Sequence, residues 1–67
     1  MNRVDVAPDV MVRHYKGGIY QIILIAKSSE NKEEMVVYES EGGTTWVRPM
    51  TEFTGRVDSK TPRFSLL

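Results

Sequence analysis

Cysteine is absent from this chain of 67 residues. Its absence excludes disulfides and thiolate metal ligands, two of the devices that commonly stabilise a domain of this size. The single histidine could not build a zinc site without carboxylates as the other ligands, and we expect neither a metal nor another cofactor. A chain this short buries only about 60% of the surface that its unfolded form exposes. We therefore expect oligomerisation to supplement a small core.

An excess of one charge is also missing, since nine basic and nine acidic residues cancel. Non-specific nucleic-acid binding requires a basic surface, so the balance argues against it, although not against a local basic patch. No apolar run approaches the roughly 20 residues that span a bilayer. The first eight residues lack the apolar core of a signal peptide. Together these absences predict a cytoplasmic protein with no membrane segment.

Short strands separated by turn residues are what the chain does contain. The segments from Ile19 to Ala26 (IYQIILIA), from Met35 to Ser40 (MVVYES) and from Thr45 to Arg48 have strand composition. The segment from Pro49 to Phe53 fits a single helical turn with proline at its first position. In the absence of a long helical period, this pattern predicts an all-β fold, a small barrel of about five short strands.

The N-terminal residues differ in composition from the remainder. Residues 1–10 are mixed and polar and include Pro8, which predicts a flexible arm. Residues 11–67 contain every candidate strand and are predicted to form a single domain.

Gly17 and Gly18 mark a turn between a short, moderately apolar segment from Val10 to Lys16 and the strand that begins at Ile19. A Gly-Gly pair suits a two-residue hairpin loop, because both central residues of a type I′ turn need positive φ. Such a turn would place Tyr15 opposite Tyr20. It would also put Arg13 on the tyrosine side of the ribbon, since successive side chains alternate between faces.

The strand from Ile19 to Ala26 is apolar on both faces instead of alternating. A half-exposed strand lacks this pattern, so the strand is either central in the barrel or buried in a subunit contact. The second possibility predicts a homodimeric structural or interaction protein joined through this strand.

Two polar–aromatic blocks, RHYKGGIY and WVRP, contain the residues best suited to binding. Arginine grips carboxylates and phosphates with two nitrogens and stacks on aromatic rings. We interpret the blocks as a binding rim that consists of Arg13, His14, Tyr15, Lys16 and Arg48. Arg63 could join this patch; alternatively, Arg48 and Arg63 pair with nearby carboxylates. Of the aromatic residues, Trp46 and Tyr20 are expected in the core, while Tyr15 and Tyr38 suit either the core or a stacking surface.

His14 is the one candidate base with a pKa near neutrality. Nucleophilic catalysis would require an activated Ser, Thr or Lys beside it, and no such spacing occurs in the sequence. We expect His14 to bond a backbone group or to stack on a neighbour. No catalytic residue is assigned, and the protein is predicted not to be an enzyme.

Four motifs in order, RHYKGGxY, VVY, WVRPxxxF and RF, extend from Val12 to Phe64. In these motifs the chain resembles domain-of-unknown-function family 1653, a small bacterial family of uncharacterised proteins. The resemblance implies an SH3-type barrel and assigns no activity. The chain departs from the family pattern in the connection of residues 28–34, which lacks a glycine at its tip.

These observations favour a small non-catalytic binding or adaptor module with a basic–aromatic rim. Its partner would be a protein segment or an anionic ligand, and single-stranded nucleic acid is the alternative within that class. The homodimer through the strand from Ile19 to Ala26 is the main alternative.

Overall fold

The computed structural model describes residues 1–67. A 3₁₀ turn at Arg3–Asp5 precedes the first strand. The elements that follow are β1 (Met11–His14), β2 (Ile19–Lys27), β3 (Glu34–Ser40), β4 (Thr45–Pro49), α1 (Met50–Phe53) and β5 (Phe64–Leu66). The predicted all-β class, the five short strands and the helical turn after β4 are confirmed.

All five strands belong to one antiparallel sheet with the order β4-β3-β2-β1-β5. Strands β4 and β5 are its two edges and do not pair with each other. The sheet is therefore not closed into a barrel, and the prediction of a barrel is corrected on this point. An open sheet leaves a row of unpaired backbone groups along each edge.

One face of the sheet forms the hydrophobic core and is called the core face below. Phe53 stacks on Phe64 with ring centroids 4.2 Å apart, and Tyr38 meets both rings edge-on at 5.2 and 5.4 Å. These three aromatic side chains form the base of the core face. The buried core comprises Val6, Val12, Ile22, Val36, Tyr38, Met50, Phe53 and Phe64.

The first ten residues, for which the sequence predicts a flexible arm, pack against this sheet. Val6 is buried in the core. The Asp9 N–H donates to the Ile22 carbonyl at 2.8 Å. The Arg3 guanidinium pairs with the Glu34 carboxylate on β3, with Nε 2.9 Å from Oε1. Residues of the predicted arm therefore cover part of the core face.

The hairpin between β1 and β2 closes at the pair His14 and Gly18, so its loop has three residues, 15–17, and not the predicted two. The Gly17 N–H donates to the His14 carbonyl, the His14 N–H donates to the Gly18 carbonyl, and Gly17 has a φ of 106°. A three-residue loop that ends in a left-handed glycine is a common hairpin geometry. The loop between β3 and β4 is built in the same way, with Gly43 at a φ of 88°.

This loop corrects the predicted register. Val12 lies opposite Tyr20, and Arg13 lies opposite Ile19, whereas the prediction paired Tyr15 with Tyr20. The two registers differ by an odd number of residues, which exchanges the faces of β1 relative to β2. Arg13 is thereby moved to the outer face, away from the tyrosines.

The outer face of the sheet carries an uncovered apolar patch. A bulge between Ile22 and Leu24 sets both Ile23 and Leu24 near Val37, and Val47 lies opposite Val37 on the other side. Leu24 is 44% exposed and Val47 is 59% exposed. Strand β2 is therefore apolar on both faces because it is central in the sheet and contributes to two apolar surfaces.

Candidate functional site

His14 occupies the core face where β1 ends. It lies opposite Phe64 on β5, and its ring contacts the Phe64 ring at 4.9 Å and the Tyr15 ring at 4.6 Å. The Lys16 N–H donates to His14 Nδ1 at 3.2 Å. The backbone bond expected from the sequence is present, and the ring contacts its aromatic neighbours in tilted and edge-on arrangements instead of stacking on them.

Arg48 extends from the edge strand β4 on the same face, because it lies opposite the buried Val36. Its Nε donates to the Tyr38 hydroxyl at 3.3 Å. Tyr38 is only 4% exposed, and its ring is fixed by its contacts with Phe53 and Phe64. The hydroxyl thus orients the Arg48 guanidinium from below.

Arg63 precedes the opposite edge strand, β5. Its backbone is held twice, since its N–H donates to the Gly55 carbonyl and its carbonyl accepts from the Tyr15 N–H. Its side-chain Nε is buried without a hydrogen-bond partner. A buried unpaired N–H costs free energy, and the hydrogen bonds that position Arg63 are those of its backbone and not a bond of Nε.

Lys16, Arg48 and Arg63 all act on His14. Burial lowers the pKa of His14, and the positive charges of Arg48, Arg63 and Lys16 lower it further. The ion pair in the structure joins Arg3 to Glu34 and involves none of these three cations. The alternative that Arg48 and Arg63 pair with carboxylates is therefore wrong.

The aromatic residues divide between core and solvent. Tyr20 is partly buried and meets Tyr38 edge-on at 5.4 Å, while Tyr15 is exposed beneath Lys16, whose Nζ is 5.7 Å from the ring centroid. The expectation of a buried Trp46 is wrong, because the residue is 50% exposed. Trp46 shares the core face with Tyr38, but it belongs to an edge strand that no second layer covers.

Four of the five predicted rim residues are brought together around His14: His14 itself, Tyr15, Lys16 and Arg48. The fifth, Arg13, lies on the outer face, opposite Ile19 and Ser65. Arg63 takes its place, and the pairing of His14 with Phe64 is what brings it there. We define the basic rim as His14, Tyr15, Lys16, Trp46, Arg48 and Arg63.

An open depression of about 510 Å³ lies between the N-terminus and the segment of residues 54–62. It is lined by Met1, Asn2, Thr54, Gly55, Arg56, Lys60 and Pro62 and includes no rim residue. No group of three or more His, Cys, Asp or Glu side chains is placed to hold a metal ion. None of the helices has the length and apolarity needed to cross a membrane.

Comparison with known proteins gives one match. The model of a family described as "Protein of unknown function (DUF1653)" matches residues 11–66. No curated protein and no solved structure matches the chain.

Proposed function

The chain belongs to the DUF1653 family of proteins of unknown function, and we propose that its domain is a small, non-catalytic binding module. The basic rim is its binding surface, and an anionic group of the partner is the feature that it recognises. The observation that carries this proposal is the meeting of three cations around His14 without a carboxylate partner. Like charges brought together repel, and an anion between them relieves that repulsion.

The chemistry of the rim side chains fits such a ligand. The guanidinium groups of Arg48 and Arg63 offer planar pairs of donors that match carboxylate and phosphate oxygens. Trp46 and Tyr15 expose flat aromatic surfaces beside them, which add contact area for an apolar or planar part of the ligand. The rim therefore combines charge recognition with apolar contact.

Catalysis is not part of the proposal, because the surroundings of His14 do not suit it. Nδ1 accepts the Lys16 N–H, and no carboxylate or hydroxyl is hydrogen-bonded to the ring. The three neighbouring cations favour the neutral imidazole. A general base needs an orienting group and a proton to take, and the rim provides neither.

A titration with inorganic phosphate tests the binding surface. Backbone NMR shifts of the ¹⁵N-labelled domain at low salt should move at His14, Lys16, Arg48 and Arg63, because these residues surround the anion. Arg48→Gln and Arg63→Gln should each abolish most of that change. Arg13→Gln removes the same charge from the outer face and is the matched control. Equal weakening by all three variants would show general charge attraction and would refute a defined site.

A homodimer is the second candidate, and the uncovered outer face favours it. Ile23, Leu24 and Val47 are exposed around Val37 across three adjacent strands, and contiguous apolar surface of this kind often marks an interface. Sedimentation equilibrium should then show a dimer that Leu24→Lys converts to a monomer with an unchanged circular dichroism spectrum. A wild-type monomer at all concentrations would refute this candidate and leave the rim proposal intact.

A further inference from the structure

The free edge of β4 borders the basic rim and presents unpaired backbone groups. The Ser40 N–H donates to the Thr44 carbonyl at 2.9 Å, which makes these residues a hydrogen-bonded pair. Hydrogen-bonded and non-hydrogen-bonded pairs alternate along an antiparallel ladder. Trp46 and Arg48 therefore direct their backbone groups toward β3, while Thr45 and Val47 direct theirs away from the sheet, where β4 has no neighbour.

Pro49 is the last residue of β4, and its backbone nitrogen, like those of Thr45 and Val47, faces away from β3. It has no N–H to offer, so its presence costs β4 no bond with β3. A second copy paired antiparallel about Val47 would set Pro49 against Thr45 and lose a bond at each end. That register is therefore disfavoured, and in any register a second copy of β4 would bring another Arg48 and no carboxylate to this edge.

The side chains beside this edge indicate a negatively charged partner. Trp46 and Arg48 project on the core face of β4, and a strand added to β4 would set alternate side chains next to them. The cations of the rim lack carboxylate partners in the structure. A strand with acidic side chains on that face would supply a carboxylate to Arg48, the rim cation that lies on β4 itself.

We propose that the partner of the basic rim is an acidic peptide segment that adds to the edge of β4 as an extended strand. The inference rests on the proposed function, since the rim supplies the contacts to the acidic side chains. The outward N–H and carbonyl groups of Thr45 and Val47 supply the backbone bonds. A single-stranded nucleic acid could use the arginines and Trp46, but it cannot continue a β-ladder, and the free edge therefore favours the peptide.

A short synthetic peptide of alternating glutamate and valine tests the inference. Three matched probes accompany it: the same peptide with lysine for glutamate, the same peptide with N-methylated backbone amides, and an oligothymidylate of similar length. The acidic peptide should bind and slow hydrogen exchange at the Thr45 and Val47 amides by roughly tenfold or more. The lysine peptide should not bind. N-methylation should weaken binding by roughly tenfold, because it removes backbone donors and leaves the charge unchanged.

Two substitutions in the protein separate the edge from the rim. Val47→Pro should remove peptide binding while the domain stays folded, because this N–H faces away from β3; Val47→Ala is its control. Arg48→Gln should weaken the peptide by roughly tenfold, and Arg13→Gln should not. Circular dichroism verifies that each variant is folded.

The outcomes distinguish the two proposals. Equal binding of the N-methylated and unmodified acidic peptides, or no slowing of exchange at Thr45 and Val47, refutes strand addition and leaves anion binding at the rim standing. Tighter binding of oligothymidylate than of the acidic peptide overturns the peptide as partner. Failure of Arg48→Gln and Arg63→Gln to weaken any probe refutes the basic rim itself. If Val47→Pro unfolds the domain, the N-methylated peptide and the exchange data decide.

Discussion

The base and the rim of the core face both contain aromatic side chains, but these are buried in the base and exposed to solvent in the rim. In the base, Tyr38, Phe53 and Phe64 are buried and packed ring against ring. In the rim, Trp46 is half exposed, and Arg63 keeps a buried donor without a partner. Trp46 and Tyr38 even lie opposite each other on neighbouring strands. Position in the sheet, and not residue type, decides which side chains stabilise the fold and which are available to a partner.

Phe64→Ala gives the largest expected effect and tests the base. Removing this fully buried ring should cost about 3–5 kcal/mol of unfolding free energy, a large part of the total for a domain of this size. Urea unfolding followed by circular dichroism measures the loss. Ser65→Ala, at the exposed neighbour on β5, is the control. A loss as small as the control's would mean that the base does not hold the domain together.

Tyr38→Phe tests the one hydrogen bond that joins base to rim. It keeps the ring and removes the hydroxyl that orients Arg48. The unfolding free energy should fall by about 1 kcal/mol, the usual worth of a single bond of this kind. Phosphate binding at the rim should weaken with it, since Arg48 is released. If binding stays unchanged while stability falls, Tyr38 does not position Arg48.

Lys16→Ala tests whether a rim side chain can be removed without loss of stability. Lys16 is exposed and has no ion-pair partner, so its removal should change the unfolding free energy by no more than about 0.5 kcal/mol. Anion binding should nevertheless weaken in the phosphate titration. A destabilisation comparable to that of Tyr38→Phe would show that the rim is structural.

The smallest expected effect is a pH dependence of the unfolding free energy that is caused by His14. The pKa of His14 is lowered from 6.5 by burial and then by Arg48, Arg63 and Lys16. Because the unfolded chain protonates this ring at a higher pH than the folded chain does, stability should fall as the pH drops from about 6.5 toward the lowered pKa. The pKa values of Glu34 and Asp58 lie below their ordinary values, so their losses appear at lower pH.

Urea titrations between about pH 5 and about pH 8, where an ordinary histidine titrates, measure this dependence. His14→Gln should remove it. Arg63→Gln should reduce it, because one of the three neighbouring charges is gone. An identical slope in the wild type and in His14→Gln would assign the effect to another group.

The sequence predicts the elements of this fold well because they depend on local patterns. The β-branched run of β2 and the proline before α1 each favour one structure over short distances. The register of the first hairpin depends on a finer choice, since Gly17 and Gly18 allow two loop lengths. That choice moved Arg13 to the outer face.

The composition of the rim was harder to predict for a different reason. Whether Trp46 is buried depends on β4 being an edge, and the order of strands in a sheet is not a local property of any of them. Arg63 reaches the site only through the pairing of β5 with β1, which joins segments far apart in the chain. Four of the six rim residues were therefore predictable from local patterns, whereas the exposure of Trp46 and the exclusion of Arg13 depended on strand order and register.

The matching loops beside the rim have a consequence for how such domains diversify. Each loop is closed by two main-chain hydrogen bonds and one glycine with positive φ, Gly17 or Gly43. The other loop positions, Tyr15 and Lys16 in one and Glu41 and Gly42 in the other, are exposed and contribute nothing to that closure through their side chains. Under the proposed function, substitutions there would change the preferred ligand while the backbone frame of the rim stays constant. If the rim binds an anion as proposed, its specificity can therefore evolve separately from the stability of the domain.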